Sequence, residues 1–238
     1  MLQLHSNKKI NLFWWRIIGF AGLAGLLYYS WPLGYWLNPL VGRQGLASDL
    51  GAKGQPYSWL FTLLDVISGA LILLVTLWLA RAWHEFMNLS VKLILWGYAL
   101  FGVLTAVSAV LPINCLPDEA RCSSWMSNPM LVLHGLASIG SIAGLTLSIV
   151  GVWQLLVITR RGAPHLRWML HGIMLIWFGF GLLTLALILT ARSSNTAQHL
   201  FITVCSVWTV LMPYILVHLH TQELEFVRAV NKQDNQDE

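Results

Sequence analysis

The run WLFTLLDVISGALILLVTLWLA, Trp59–Ala80, decides the fold class of this chain. Asp65 is its one ionisable side chain; the rest is aliphatic, aromatic, small or hydroxyl-bearing. About 20 such residues in a helix cross the hydrocarbon core of a bilayer, where unpaired backbone groups find no water. Five further runs share the property: Leu12–Ser30, Leu93–Leu111, Met130–Ile158, Met169–Ala191 and Leu200–His218. The chain is therefore read as all-α, a polytopic membrane protein with six transmembrane helices. Residues 1–220 make one transmembrane domain, and 221–238 a polar cytoplasmic tail expected to be disordered. The fourth run is long enough to tilt. The last contains Pro213, which frees the carbonyl of Thr209 and is expected to kink the helix.

Composition agrees. The 238 residues are 57% hydrophobic and 10% charged, with a mean hydropathy of +0.66. Soluble domains carry about 25% charge. Many of the 13 tryptophans lie near the ends of apolar runs (Trp14, Trp15, Trp31, Trp36, Trp59, Trp83, Trp125, Trp168), as interfacial belts do. A net charge of +4 calls for no nucleic-acid partner, because topology places the basic residues. The first run has no convincing small-residue cleavage site and is read as a helix rather than a signal peptide. No internal repeat stands out.

Basic residues set the orientation. Lys8, Lys9, Arg16, Arg81, Lys92, Arg160, Arg161, Arg167, Arg228 and Lys232 fall on one side of the six-span arrangement, and Arg43, Lys53, Arg121 and Arg192 on the other. The richer side is cytoplasmic. Both termini then face the cytoplasm, and the localisation expected is a bacterial inner membrane.

On the opposite side, Arg43-Gln-Gly-Leu-Ala-Ser48-Asp49-Leu-Gly51-Ala-Lys53 is a polar, glycine-punctuated loop between two apolar runs. Its glycines permit positive φ and close backbone approach, and its charges beside a membrane suggest the lip of a site. Cys115 and Cys122, in the next loop on that side, suggest a disulfide, and Cys205 an inert packing residue.

Ionisable groups inside spans carry the functional expectation. Asp65 shares a helix face with Ser58, Thr62 and Ser68; His134 leads a stripe of Ser138, Ser141 and Ser148; His199 lies above Thr203 and Ser206; and Tyr98, Thr105 and Ser108 line the third span. Four helices thus turn polar faces toward a shared interior. Gly140 and Gly144 add a close helix contact. Asp65, His134 and His199 make a candidate zinc set with an open position for water. Ser48 and Asp49 are the candidate catalytic pair, and Arg43 and Lys53 would hold an anionic head group. The competing reading is a buried Asp–His pair that ties helices together. A haem would need facing histidines at matched depth; pairing His134 with His199 and His171 with His218 resembles cytochromes of the b561 type. Against that, His84, His165, His171, His218 and His220 fit interfacial positions beside lipid phosphates.

A family resemblance covers about residues 30–215. It rests on Asn38-Pro39, Ser48-Asp49-Leu50-Gly51-Ala52, Pro56 with Trp59-Leu60-Phe61, Pro112, His134, Gln198-His199-Leu200 and Trp208. The chain resembles a bacterial and archaeal six-helix family named domain of unknown function 998. That resemblance implies the six-helix fold and an outward polar site, and no reaction. A more distant likeness is to membrane hydrolases of the alkaline ceramidase and adiponectin receptor type. It would give Ser48, Asp49, Asp65 and His134 analogous roles around zinc, although the HxxxH pair of those enzymes is missing.

Two functions of different class follow. One is a metal-dependent hydrolase acting on a membrane lipid or lipid-linked small molecule at the outer leaflet. The other is a non-enzymatic ligand-binding or transport-accessory protein using the same pocket.

Overall fold

The computed structural model describes residues 2–44, 46–111, 113, 128–158, 168, 171–179, 181–182 and 195–234. Five long helices organise them: α1 (Leu2–Tyr28), α2 (Ser58–Ala82), α3 (Leu89–Val110), α4 (Pro129–Ile158) and α5 (Asn195–Asp234). Five stretches among the described residues are long and apolar enough to cross a membrane. Of the expected fifth span, Met169–Ala191, residues 171–179 and 181–182 are described, and all are helical. Cys115 and Cys122 lie outside the described residues.

The helix starts follow from local chemistry. Asn88 caps α3, its Oδ1 accepting the Val91 N–H at 2.9 Å. Asn128 does the same for α4, accepting from Met130 at 3.1 Å and Leu131 at 3.3 Å. Pro129 occupies the first turn of α4, where a missing N–H costs nothing.

α1 to α4 pack in sequence as antiparallel neighbours, and glycines let them approach. A Cβ on Gly97 of α3 would meet the Gly144 carbonyl of α4 at 2.5 Å, and one on Gly69 of α2 would meet the Gly102 carbonyl of α3 at 2.5 Å. The Gly144 contact expected from sequence thus has Gly97 as its partner, and the backbones touch where any side chain would wedge them apart.

α5 lies against this curtain rather than at its edge. The buried share rises from 28% in the first spanning stretch to 56% in the last. α5 runs antiparallel to α1, with Trp14 facing His220, Gly25 facing Ser206 and Trp31 facing His199. The Trp208 indole N–H of α5 donates to Ser148 Oγ of α4 at 2.8 Å. Trp177 bridges α4 and α5, donating to Thr146 Oγ1 at 3.2 Å and packing on Phe201 at 4.6 Å.

Pro213 leaves no break in α5. The Thr209 carbonyl it frees accepts the Tyr98 hydroxyl of α3 at 2.7 Å, so a defect in one helix becomes a bond between two. Nor does α5 end near His218. It runs for 40 residues, about 60 Å and twice the hydrocarbon thickness. The expected disordered tail is helical to Asp234. Its Glu, Leu, Arg, Ala, Lys and Gln are good helix formers once a preceding helix has nucleated them.

Tryptophans expected as interfacial belts divide. Trp15, Trp36, Trp59 and Trp168 are exposed, whereas Trp14 and Trp83 are buried between helices. The bundle has a loop end, where residues 29–57 and the start of α5 meet, and a tail end, where α1 begins and α5 leaves.

Candidate ligand site at the loop end

The loop 46–55 forms a roof. Asp49 is 4% exposed, and its Oδ2 accepts the Leu46 N–H at 2.7 Å, so the carboxylate holds its own turn. The Ala47 N–H donates to Gln198 Oε1 at the start of α5, at 2.8 Å. Leu50 and Ala52 are buried, Ala52 against Ile113 and Leu131. The Lys53 N–H donates to the Ile113 carbonyl at 2.9 Å, and Asn38 Nδ2 to Gln55 Oε1 at 2.9 Å. Gly51 rests over Thr62 of α2, whose Oγ1 an added Cβ would meet at 3.7 Å. Ser48 is half-buried and the Lys53 side chain exposed. Arg43 lies in the short helix Pro39–Gln44, with its side chain outside those described. Gly51, the described glycine of the expected loop, lies in a helical turn, and positive φ falls just past the loop, at Gly54 (89°) and at Tyr57 (59°), the residue before α2.

Beneath the roof stands an aromatic wall. The His199 imidazole stacks flat on the Trp31 indole, with ring centroids 4.2 Å apart and planes 6° from parallel. His199 is 4% exposed. Its Nε2 and the Trp31 Nε1 are both buried with no hydrogen-bond partner. Such atoms are rare in native proteins, because each forfeits its bond to water without replacement.

The floor is acidic. Asp65 lies one turn deeper on α2 than Thr62. Tyr28, at the end of α1, stands within electrostatic range of both Asp65 and Cys205. Tyr28 and Asp65 are half-buried. Asp65 lies on the α2 face of buried Phe61, Ser68 and Gly69, the face turned to the bundle rather than to lipid. Cys205 is six residues along α5 from His199, and Tyr28 three residues from Trp31, so the floor lies deeper in the bundle than the wall.

A family model described as "Protein of unknown function (DUF998)" matches residues 21–220. The chain belongs to the DUF998 family. The matched residues run from α1 to the tail end of α5 and include roof, wall and floor alike. No curated protein and no solved structure matches the chain.

The proposed zinc ligands of this DUF998 protein do not converge. No group of three or more His, Cys, Asp or Glu among the described residues is placed to hold a metal ion. Asp65, His134 and His199 are therefore not assembled as a three-ligand set, and the two histidines have other contacts. The His134 Nδ1–H donates to the α3 carbonyls of Ser108 at 2.8 Å and Leu111 at 3.2 Å. His134 caps the end of α3. His199 is held on Trp31. His218 is exposed and contacts Gln222.

The expected polar stripes are mostly satisfied within their own helices. Ser138 donates to the His134 carbonyl, Ser141 to Ser138, Ser148 to Leu145, Thr203 to His199 and Ser206 to Ile202. A hydroxyl bonded back to its own helix does not signal a wet interior. Ser68 reaches across instead, donating to the Ala24 carbonyl of α1 at 2.8 Å. Thr105 Oγ1 is buried without a partner.

Sequence reasoning missed two residues of this DUF998 chain. Trp31 passed for an interfacial anchor, and Tyr28, one turn before it, was not singled out. Cys205 is buried and free in the apolar core, as the packing reading expects. His220, expected at the interface, is 7% exposed. Its rings of contact are Trp14, Trp83 and Phe86 at 5.0, 5.5 and 5.7 Å.

Proposed function

We propose that this DUF998 protein is a non-enzymatic ligand-binding protein of the inner membrane, which takes the polar end of a membrane lipid or lipid-linked molecule into the recess at its loop end. The distribution of basic residues favours the loop end facing outward, with both termini cytoplasmic. The observation that carries the reading is Asp65, an ionisable group inside a membrane span that has neither a hydrogen bond nor an ion pair among the described residues. Such groups are costly in apolar surroundings and are kept where they meet a ligand, an ion or a proton. Two further features support binding over chemistry. The aromatic wall supplies a flat ring stack below the roof, and Asp49 is occupied in shaping the roof.

Native mass spectrometry of protein released from nanodiscs made with total membrane lipid tests this. Wild-type protein retains one bound molecule per chain, and Asp65→Ala or Trp31→Ala loses most of it while keeping the thermal transition. A wild-type spectrum without adducts, or release of a cleaved product by the wild type alone, overturns the reading.

A further inference from the structure

The chemistry of the floor specifies which end of a ligand enters. We propose that the recess recognises a primary ammonium group, held by Asp65 with the Tyr28 phenol beside it; this rests on the ligand-binding reading above.

The reasoning begins with charge. Asp65 lies within the span and has no basic partner among the described residues. The ion pair between exposed His84 and Glu85 lies elsewhere, between α2 and α3. Two basic residues among the described side chains lie away from the floor. Arg16 is exposed and lies more than three helical turns along α1 from Tyr28, and Lys53 is exposed on the roof. A carboxylate desolvated without a counter-charge is unfavourable, and a cation delivered by the ligand removes that penalty. An anionic group driven to the same depth would add like-charge repulsion to desolvation. The floor therefore selects for a positive head and against a phosphate.

Hydrogen bonding narrows the class further. An ionised carboxylate only accepts, and a phenol oxygen both accepts and donates. Neither Asp65 nor Tyr28 has a hydrogen bond among the described residues. Together they suit a head with several N–H donors. A primary ammonium offers three, whereas a trimethylammonium offers none. The Tyr28 ring, packed edge-on against Phe101 at 5.4 Å, is fixed in place and adds a π surface next to the cation. Above it, the Trp31–His199 stack is a flat apolar wall for the remainder of the ligand.

The ammonium has two sources, a phosphatidylethanolamine head group or a water-soluble primary amine. Protein in phosphatidylcholine nanodiscs is titrated separately with phosphatidylethanolamine-containing vesicles, phosphatidylglycerol-containing vesicles and soluble ethanolamine. The expected result is saturable binding of one amine-bearing probe, phosphatidylethanolamine for a lipid site or ethanolamine for a soluble ligand. Trimethylation of that probe abolishes binding. Asp65→Asn, which keeps size and shape, lowers its affinity by roughly thirty-fold or more. Tyr28→Phe lowers it less and leaves the fold intact, which separates ligand contact from misfolding. Preference for phosphatidylglycerol, or unchanged amine affinity in Asp65→Asn, overturns the ammonium assignment. In either case a retained adduct in the native mass spectrum leaves the ligand-binding reading standing. Absence of both adduct and probe binding overturns the two together.

Discussion

Each end of the spanning part of α5 buries a histidine against tryptophan, and the two are held by different means. At the tail end, His220 Nε2–H donates to the Ala82 carbonyl at 2.9 Å, closing the C-terminus of α2, while Trp14, Trp83 and Phe86 pack around its ring. At the loop end, His199 has one flat neighbour, Trp31. Each ring keeps one buried nitrogen without a partner, Nδ1 of His220 and Nε2 of His199, so an unpaired nitrogen alone does not set the two apart. What differs is the tie. His220 bonds the end of one helix and packs on three rings, whereas His199 is held by a single stack.

The largest expected effect breaks this comparison directly. His220→Ala removes a carbonyl cap and opens a cavity among three large rings, and should lower unfolding free energy by about 3 kcal/mol. His199→Ala forfeits one ring stack, about 1 kcal/mol, and deletes an unpaired nitrogen. Equilibrium unfolding in mixed micelles measures both. Equal losses would show that His199 is structural cement after all.

A second, smaller effect tests whether cross-helix bonds in the middle of the bundle belong with the locked end. Tyr98→Phe leaves the Thr209 carbonyl unpaired in a buried site and should cost about 1.5 kcal/mol. In a Pro213→Ala background residue 213 regains its N–H and can serve that carbonyl within the helix. The cost of Tyr98→Phe should then fall by about 1 kcal/mol. Additivity of the two substitutions would dissociate the Tyr98 bond from the proline.

How far the sequence revealed all this depends on the kind of information involved. Trp59–Ala80 and its counterparts announce a membrane-spanning helical protein because hydropathy and length are local properties. Pro213 pointed to the Thr209 carbonyl for the same reason, since a missing N–H has an address four residues back. What received that carbonyl was not local, and Tyr98 was visible only in three dimensions. Asp65 stood out as a charge in an apolar run. The expectation that it would meet His134 and His199 relied on equal depth alone, and depth does not fix the direction in which a helix face points. His134 turned toward the carbonyls ending α3, the nearest unpaired acceptors. His199 turned toward Trp31, a residue whose position at a run's end matched that of a lipid anchor. The α5 extension to Asp234 was obscured because polar composition suits both a solvated helix and a disordered tail.

The smallest effect sharpens the comparison at the roof. Gln198 adjoins His199 and holds the Ala47 amide at 2.8 Å, so the wall and the roof are fastened through consecutive residues of one helix turn. The spanning bundle does not depend on that bond, and Gln198→Ala should leave global unfolding within about 0.5 kcal/mol of wild type. Locally it releases the turn from α5. One hydrogen bond of about 1 kcal/mol corresponds to roughly five-fold faster opening-limited exchange at the amides of residues 47–51. Amides flanking Ala82 and His220 should not change. Hydrogen exchange read by mass spectrometry separates the two regions in a single experiment. Faster exchange confined to the roof would make it a movable cover over a stable frame. Faster exchange at both ends would mean that the bundle opens as one unit, and the division of labour between the two histidines would have no physical basis.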